Sequence, residues 1–402
     1  MDSTTENNTR KGFSLSRMPL LLKIVIAIIL GIGAGYIFPV WLGRIFATFN
    51  AIFSQFLGFL IPLIIVGFIT PAIAEIGKKA GLVLLITAGL AYLDTILAGF
   101  ASFFTGDLLF PSLISPGSMG NTPEGHDLTP FFTIEMPPVM TVMTGLVLAF
   151  LVGIAMAVLG SVSIKKIADE FRDIVTLAIG KVIIPLLPIY IFGIFLNMTV
   201  AGQVGPVLGT FVKIIAIIFA LTFLLLVAQF CIAACFNRKN PLKMLIKMMP
   251  AYFTALGTQS SAATIPVTLR QTISLGVSEE IAGFTIPLCA TIHMSGSTLK
   301  IVACAIALMI MQGIPYDFPM FAGFICMLAI TIVAAPGVPG GAIMASLGLL
   351  GGILGFSEAD QALMIALYIA MDSFGTACNV TGDGYIAVIV DHFFGPKKKG
   401  NN

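Results

Sequence analysis

At the centre of an apolar segment, about 243–273, the chain reads Thr258-Gln259-Ser260-Ser261-Ala262-Ala263-Thr264-Ile265-Pro266. A second apolar segment, about 318–356, is interrupted by Ala334-Ala335-Pro336-Gly337-Val338-Pro339-Gly340-Gly341. Irregular backbone at membrane depth is tolerated only where it is buried in protein or lines a polar cavity. The two segments therefore predict re-entrant hairpins, related as inverted repeats, whose tips meet near the membrane midplane, where secondary transporters bind substrate. The alternative is that Pro and Gly kink two ordinary helices.

The composition places the chain in a membrane. Of its 402 residues, 58% are apolar and 10% are charged, whereas about a quarter are charged in soluble proteins. The net charge of +2 offers no basic surface for nucleic acid. Eight apolar stretches reach spanning length, at roughly 19–40, 46–74, 80–105, 139–163, 174–198, 205–235, 280–312 and 360–390. We predict an all-α polytopic membrane protein with eight transmembrane helices and two re-entrant helical hairpins.

Basic residues predict the orientation. Lys and Arg collect in every second connection, at 10–17, 78–79, 165–172, 238–247 and 397–399, while 107–138 lacks them and 198–210 is uncharged. Because cytoplasmic loops are the basic ones, we expect both termini in the cytoplasm. The protein is further expected to lie in the plasma (inner) membrane of a prokaryote. The stretch 18–39 is too long for a signal peptide core and is expected to be a retained first helix.

The last span carries the most informative spacing. Asp372, Thr376, Asn379 and Asp383 recur at i, i+4, i+7 and i+11, which places them on one helical face. Carboxylates inside a membrane are costly, so a functional role is the default interpretation. Asp372 suits a ligand ammonium, Asn379 a carboxylate or carbonyl, and Asp383 a small cation. The alternative is that both carboxylates are structural partners of lysines.

Two further residues at membrane depth need partners. Lys300 is expected to pair with Asp372 or with Asp94, to face the substrate site as its positive group, or to extend towards the membrane surface. His293 is expected to be either a hydrogen-bonded structural imidazole or a proton-coupling group.

Other candidate chemistry is weaker. The external stretch 107–138 contains His126 among acidic residues, but a metal site there would need a second histidine, so we expect a solvated connection. Six cysteines lie in apolar runs without metal-ligand spacing and are expected to be buried free thiols: Cys231, Cys235, Cys289, Cys304, Cys326 and Cys378. An intramembrane aspartyl protease would need Asp383 and Asp317 to face each other, yet Asp317 lies between two prolines at a span end. A channel is a distant alternative, and no enzyme activity is predicted.

The motifs of the second half resemble the dicarboxylate/amino acid:cation symporters, the family of the archaeal aspartate transporter and the neuronal glutamate transporters. The resemblance rests on Ser260-Ser261 with Thr264-Ile265-Pro266-Val267-Thr268, Ala290-Thr291-Ile292, Gly337-Val338-Pro339-Gly340, Asp372, and Asn379-Val380-Thr381-Gly382-Asp383. It implies a homotrimer in which transport domains slide past a fixed scaffold, an elevator mechanism. We expect a cytoplasmic tail at 1–18, helices 1–6 at 19–240 with helices 3 and 6 in the transport domain, a transport core at 241–394, and a basic cytoplasmic tail at 395–402.

The resemblance also implies residue roles. Candidate substrate-binding residues are Ser260, Ser261, Ser297, Lys300, Gly337, Val338, Asp372, Thr376 and Asn379. Candidate sodium ligands, through side chains or carbonyls, are Cys289, Thr291, His293, Met294, Asn379 and Asp383. The coupling ion is expected to be Na⁺ or H⁺, and no other cofactor is expected.

Two departures from the family pattern change the expected function. Sodium-coupled members read Asn-Met-Asp-Gly-Thr where this chain reads His293-Met294-Ser295-Gly296-Ser297, so one sodium site should be lost or weakened. The arginine that binds acidic substrates is replaced by Gly375 or Gln259. We therefore predict a carrier of small, neutral amino acids with altered cation coupling; the alternative is an acidic amino-acid or dicarboxylate symporter that uses Lys300.

Overall fold

The computed structural model describes residues 20–78, 82–117, 128–202, 204–333 and 340–396. Several predictions fall outside these ranges and are left untested by it. They concern most of the two cytoplasmic tails. They also concern the residues Lys79, His126, Gly337 and Val338.

The described residues fold into helices, and they contain no strand. The first half comprises α1 (Leu20–Ile37), α2 (Val40–Lys78), α3 (Leu82–Leu113), α4 (Val142–Leu159), α5 (Val162–Ala178), α6 (Ile184–Val200) and α7 (Val204–Asn237). A π-helical turn (Ile179–Ile183) joins α5 to α6. The second half comprises α8 (Pro241–Thr258), α9 (Ser261–Ser274), α10 (Glu279–Ile292), α11 (Ser295–Gln312), α12 (Phe318–Val333), α13 (Gly341–Gly352), α14 (Glu358–Ala370) and α15 (Asp372–Phe394).

Local sequence explains where many helices begin and end. A side-chain oxygen at the N-cap satisfies a backbone N–H in the first turn, and such caps are Thr141, Ser161, Asn240, Ser260 and Ser357. Gly160 and Gly313 end α4 and α11 in the left-handed conformation that glycine adopts without strain. Caps of this kind delimit helices even in a chain this apolar.

Several helices are long and apolar enough to cross a membrane. Among the described residues, five stretches qualify, and the pair α14–α15, bent by 62°, makes a sixth if it is one span; the five are Val40–Pro71, Leu82–Leu113, Val162–Val200, Leu208–Asn237 and Glu279–Gln312. Shorter apolar helices are Leu22–Ile37, Val147–Leu159, Phe318–Val333 and Gly341–Gly352. The chain is therefore a multi-pass helical membrane protein, as its composition predicts.

The helices form two groups around a buried centre. In the first group α2 packs against α4, α5 and α6, and α1 packs against α6. In the second, α3 and α7 join α8–α15, with α11 against α3 and α15 against α7, α8 and α10. Every residue of α11 from Ser295 to Met311 is buried. Because α11 has neighbours on all sides, its polar residues must be satisfied by protein.

The interruptions in the apolar pattern are shorter than the polar runs that mark them. Between α8 and α9 only Gln259 and Ser260 leave the helical path, and α9 already includes Thr264 and Pro266. In the last span the bend falls at Met371, and residues 372–383 are helical throughout. Thr264 and Thr268 donate to carbonyls four residues earlier (2.8 and 3.1 Å), so polarity here does not unwind the helix.

Two other expectations are wrong in detail. The external connection was expected to start at Asp107, but α3 continues to Leu113. Cys289, Cys304 and Cys378 are buried as expected, whereas Cys326 is half-buried and Cys231 and Cys235 are exposed. Both exposed thiols lie on α7, one helical turn apart, on a face that no described helix covers.

Gly296 marks the closest approach of α11 to α15, and a Cβ there would lie 2.6 Å from Cys378 Cβ and 2.8 Å from the Gly375 carbonyl. We expect Gly296→Ala to lower the unfolding free energy by about 1–3 kcal/mol through overpacking. The matched control is Gly89→Ala in α3, where a Cβ meets open space, and it should stabilise the helix by about 0.5–1 kcal/mol. The measurement is the thermal midpoint in detergent, and equal midpoints for the two variants would contradict this packing.

Candidate substrate and ion site

A small polar cavity lies where several helix ends meet. Its volume is about 40 Å³, and it is lined by residues of the α8–α9 break, the start of α11, the start of α13 and the α14–α15 bend. The lining residues are Gln259, Ser260, Ser261, Ala290, Met294, Ser297, Gly341, Ala342, Tyr368, Asp372, Thr376 and Asn379. The structure thus brings together six of the predicted substrate-binding residues.

Asp372 is the charged side chain among the described lining residues. Its Oδ2 accepts a hydrogen bond from the Gly340 N–H (2.7 Å), and its Oδ1 lies 3.6 Å from Lys300 Nζ. Asp372 is the first residue of α15, where the positive end of the helix dipole favours a carboxylate. This carboxylate therefore connects α15 to the N-terminal end of α13.

Lys300 lies behind the cavity and does not line it. Its ammonium donates to the Met371 carbonyl (3.1 Å), contacts Asp372, and sits 4.0 Å from the centre of the Tyr368 ring. Met371 caps the C-terminus of α14, where the helix dipole favours a cation. The bend at Met371 thus supplies a negative helix end for Lys300 and a positive one for Asp372.

The absence of a side chain at Gly375 leaves space for the end of the Lys300 side chain. A Cβ on Gly375 would collide with Cε and Nζ of Lys300. The lysine from α11 consequently fills the space beside the position at which the family resemblance expects an arginine on the last span. Of the partners predicted for Lys300, the structure shows the pair with Asp372.

Asn379 is the partner of the α11 N-terminus. Its Oδ1 accepts from the Gly296 N–H (2.8 Å), and its Nδ2 donates to Ser297 Oγ (3.1 Å) and contacts Met294 Sδ (3.5 Å). The contact to sulfur is weak, so this Nδ2–H is the one that a ligand oxygen would take over.

The start of α9 supplies backbone donors. Ser260 is its N-cap, with Oγ accepting from the Ala263 N–H (3.3 Å), and both Ser260 and Ser261 line the cavity. The first N–H groups of a helix have no partner within it and attract anions. A carboxylate group of a ligand therefore suits these backbone donors, and an ammonium suits the Asp372 carboxylate.

His293 bridges two buried carboxylates. Its Nε2 lies 2.8 Å from Asp94 Oδ2, and its Nδ1 lies 2.9 Å from Asp383 Oδ1. The imidazole is about 1% exposed, Asp383 1% and Asp94 6%. Gln229 Nε2 also donates to Asp94 Oδ2 (2.8 Å) and reaches Ser295 Oγ (3.3 Å). These side chains form one polar network between α3, α7, α15 and the α10–α11 break.

Two of the predicted sodium ligands have protein partners in this structure. The Cys289 carbonyl already accepts the His293 N–H (2.8 Å), and Asp383 Oδ1 faces a ring nitrogen. Among the described residues, no group of three or more His, Cys, Asp or Glu side chains is arranged to hold a metal ion. Thr291 is exposed and donates to the Leu288 carbonyl, while Met294 lines the cavity. The family resemblance implies two separate sodium sites, one at Asp383 with carbonyls near Cys289, His293 and Asn379, and one at the backbone of Thr291 and the second hairpin tip. Both sites stay predictions.

Sequence reasoning missed three participants: Gln229, Tyr368 and Gly340. Gln229 was the recoverable one, since it is a buried amide in the apolar run of α7. Tyr368 precedes Asp372 by four residues and donates to Ser297 Oγ (3.0 Å). Asp317, the second acid of the protease alternative, is exposed and caps α12 through the Met320 N–H (2.8 Å).

Comparison with known proteins points to one family. The family model described as "Sodium:dicarboxylate symporter family" matches residues 20–393. The chain is 28% identical over 399 residues to a serine/threonine transporter SstT of Acinetobacter baumannii (strain ATCC 17978), covering 94% of this chain and 97% of the relative. Proteins with the same name from strains AYE and AB307-0294 match with the same identity and coverage.

The buried pair in α11 and α15 generates a stability prediction. Lys300→Met leaves the Asp372 carboxylate without its cation, and we expect the unfolding free energy to fall by about 3–5 kcal/mol. Adding Asp372→Asn should recover part of the loss, because the uncompensated charge is then gone. Thermal midpoints of the two single variants, the double variant and the exposed-lysine control Lys213→Met measure this coupling. Strictly additive losses would contradict a direct Lys300–Asp372 interaction.

Proposed function

The chain belongs to the sodium:dicarboxylate symporter family, and we propose that it is a secondary active transporter of small, neutral amino acids. It is a transporter and not an enzyme. Relatives named serine/threonine transporters support a small amino acid as cargo. The preference for a neutral side chain rests on the cavity of this chain.

The observation that carries the proposal is the charge of the cavity lining. Asp372, the start of α9 and the Asn379 amide all line the cavity, and this combination suits the ammonium and carboxylate of an amino acid. The described lining includes neither lysine nor arginine. An acidic side chain would therefore be buried here without a cation, which is costly.

The proposed topology has eight spans and two re-entrant hairpins. The stretches that qualify as spans, the bent pair α14–α15, and the apolar helices α1 and α4 supply the eight. The helix pairs α8–α9 and α12–α13, each packed on itself across a break, supply the hairpins. We place both termini in the cytoplasm of a bacterial cell, in the plasma membrane.

The two helix groups suggest how the transporter moves. We propose that α1, α2, α4, α5 and α6 form the scaffold of a homotrimer, and that α3 and α7–α15 form a transport domain that slides past it. Contacts between the groups involve few elements, mainly α13 and α12 against α2, and α14 against α1 and α6. A sparse interface of this kind suits sliding. The residue ranges 19–240 and 241–394 then separate the membrane helices 1–6 from the transport core.

A second candidate function is an acidic amino-acid or dicarboxylate symporter. The observation in its favour is Lys300, whose ammonium lies beside Gly375 and within 3.6 Å of Asp372. If Lys300 turned from Met371 towards the cavity, it would provide the cation that an acidic substrate needs. The pairing of its ammonium with Met371, Asp372 and the Tyr368 ring favours the neutral substrate.

Ligand binding to the purified protein tests the substrate. We expect serine, threonine or alanine to raise the thermal midpoint, and aspartate and succinate to leave it unchanged. Asp372→Asn should weaken binding of the neutral amino acid by at least about 10-fold, because it removes the partner of the ammonium. Lys213→Met, an exposed lysine on α7, is the control and should bind as the wild type does.

The outcome that favours the second candidate is equally specific. It would be binding of aspartate or succinate by the wild type that Lys300→Met abolishes, with serine or alanine binding intact. Accumulation of substrate against its gradient in liposomes would exclude a channel.

A further inference from the structure

We propose that the His293 imidazole acts as a built-in cation for Asp94 and Asp383, so that this pair of buried carboxylates takes no sodium ion. The proposal rests on the transport function proposed above and specifies its ion coupling. Its consequence is that the single positive charge a sodium ion would bring to the two carboxylates is already supplied by a side chain.

The two distances require a proton in each gap. A neutral imidazole donates from one ring nitrogen and accepts at the other, yet both nitrogens lie 2.8–2.9 Å from a carboxylate oxygen. A lone pair facing a carboxylate at this distance is repelled unless a proton lies between them. Two protons therefore lie in the two gaps. This number is the same whether the imidazole carries both protons or carries one while a carboxyl group carries the other.

The gaps are too short for a metal ion. Bonds from hard cations to protein oxygens are about 2.0–2.6 Å long each, so an ion between a nitrogen and an oxygen needs a separation well above 2.9 Å. Asp94 Oδ2 has a further donor in Gln229 Nε2 (2.8 Å). The two carboxylate oxygens that face the ring, Asp94 Oδ2 and Asp383 Oδ1, are therefore already engaged by N–H groups.

The surroundings are shaped for the ring. A Cβ on Gly382 would lie 2.7 Å from His293 Cε1, so α15 lacks a side chain where the imidazole packs. The nearest polar group on α11 is the neutral hydroxyl of Ser295, which accepts from Gln229. Both features belong to a site that holds an imidazole between two acids.

Replacing the ring with a neutral group should create a sodium site. In His293→Asn, two buried carboxylates lose their shared donor, and binding a free cation becomes the way to neutralise them. We expect the thermal midpoint of His293→Asn to be about 5 °C higher in sodium chloride than in choline chloride at equal ionic strength. Adding Asp383→Asn should abolish that gain. The wild type and the exposed control His392→Asn should lack it.

Several results would overturn the proposal. One is a sodium-dependent rise of the thermal midpoint in the wild type that equals the rise in His293→Asn. Another is a folded His293→Asn variant whose thermal midpoint does not rise in sodium. His293→Gln is the second variant and should gain the same rise; recovery of either variant only from sodium-containing buffer would also support the proposal. A further experiment uses only the wild-type protein, crystallised with Tl⁺ as a substitute for sodium. Anomalous density for Tl⁺ between Asp94 and Asp383 would overturn the proposal, and its absence there would support it.

The test separates this inference from the proposed function. The measurements on His293→Asn use no amino acid, so they stand whether or not serine binds. Failure of serine to bind would overturn only the proposed substrate. Sodium binding between Asp94 and Asp383 in the wild type would overturn only the proposal that His293 takes the place of the cation.

Discussion

Charges at the centre of this membrane protein must find their countercharges inside it. Deep in the second helix group, Asp94, Lys300, Asp372 and Asp383 join His293 as ionisable side chains that are at most 6% exposed. In surroundings of low polarity an unpaired charge costs several kcal/mol, on the order of the net stability of a whole domain. The arrangement of α11 against α3 and α15 is therefore the arrangement that lets Lys300 reach Asp372 and lets His293 reach both other acids.

Helix breaks supply many of the partners of these buried charged groups. The bend at Met371 exposes a carbonyl to Lys300 and places Asp372 at the start of a new helix. The break at His293 frees the ring to lie between α3 and α15, and the side chain of Asn379 satisfies the N–H of Gly296 just beyond it. Each break thus exchanges backbone hydrogen bonds for contacts to charged or amide side chains, which are the stronger kind.

The sequence predicts much of this site, and its limits have a physical cause. The spacing of Asp372, Thr376 and Asn379 is a helical period, and the structure places all three on one cavity. Periodicity says nothing about which helices touch, so it left Lys300 with several partners and His293 with two roles. Packing supplies the partners of both side chains, because small residues on α15 let other helices approach. The polar runs also predicted longer non-helical segments than the structure has, because threonine hydroxyls donate to carbonyls of their own helix.

The glycines of α15 have a consequence for how this protein can change. Gly375, Gly382 and Gly384 are sockets filled by side chains from other elements: Lys300, His293 and Met248. A side chain at Gly375 and the lysine from α11 compete for one volume, so a larger residue on α15 requires the end of the Lys300 side chain to move away. Replacing Gly375 alone displaces the Lys300 ammonium from Asp372, and replacing Lys300 alone leaves a buried carboxylate without its cation, so each single change lowers stability. A change of cargo through this position would therefore involve Gly375 and Lys300 together, as two coupled mutations.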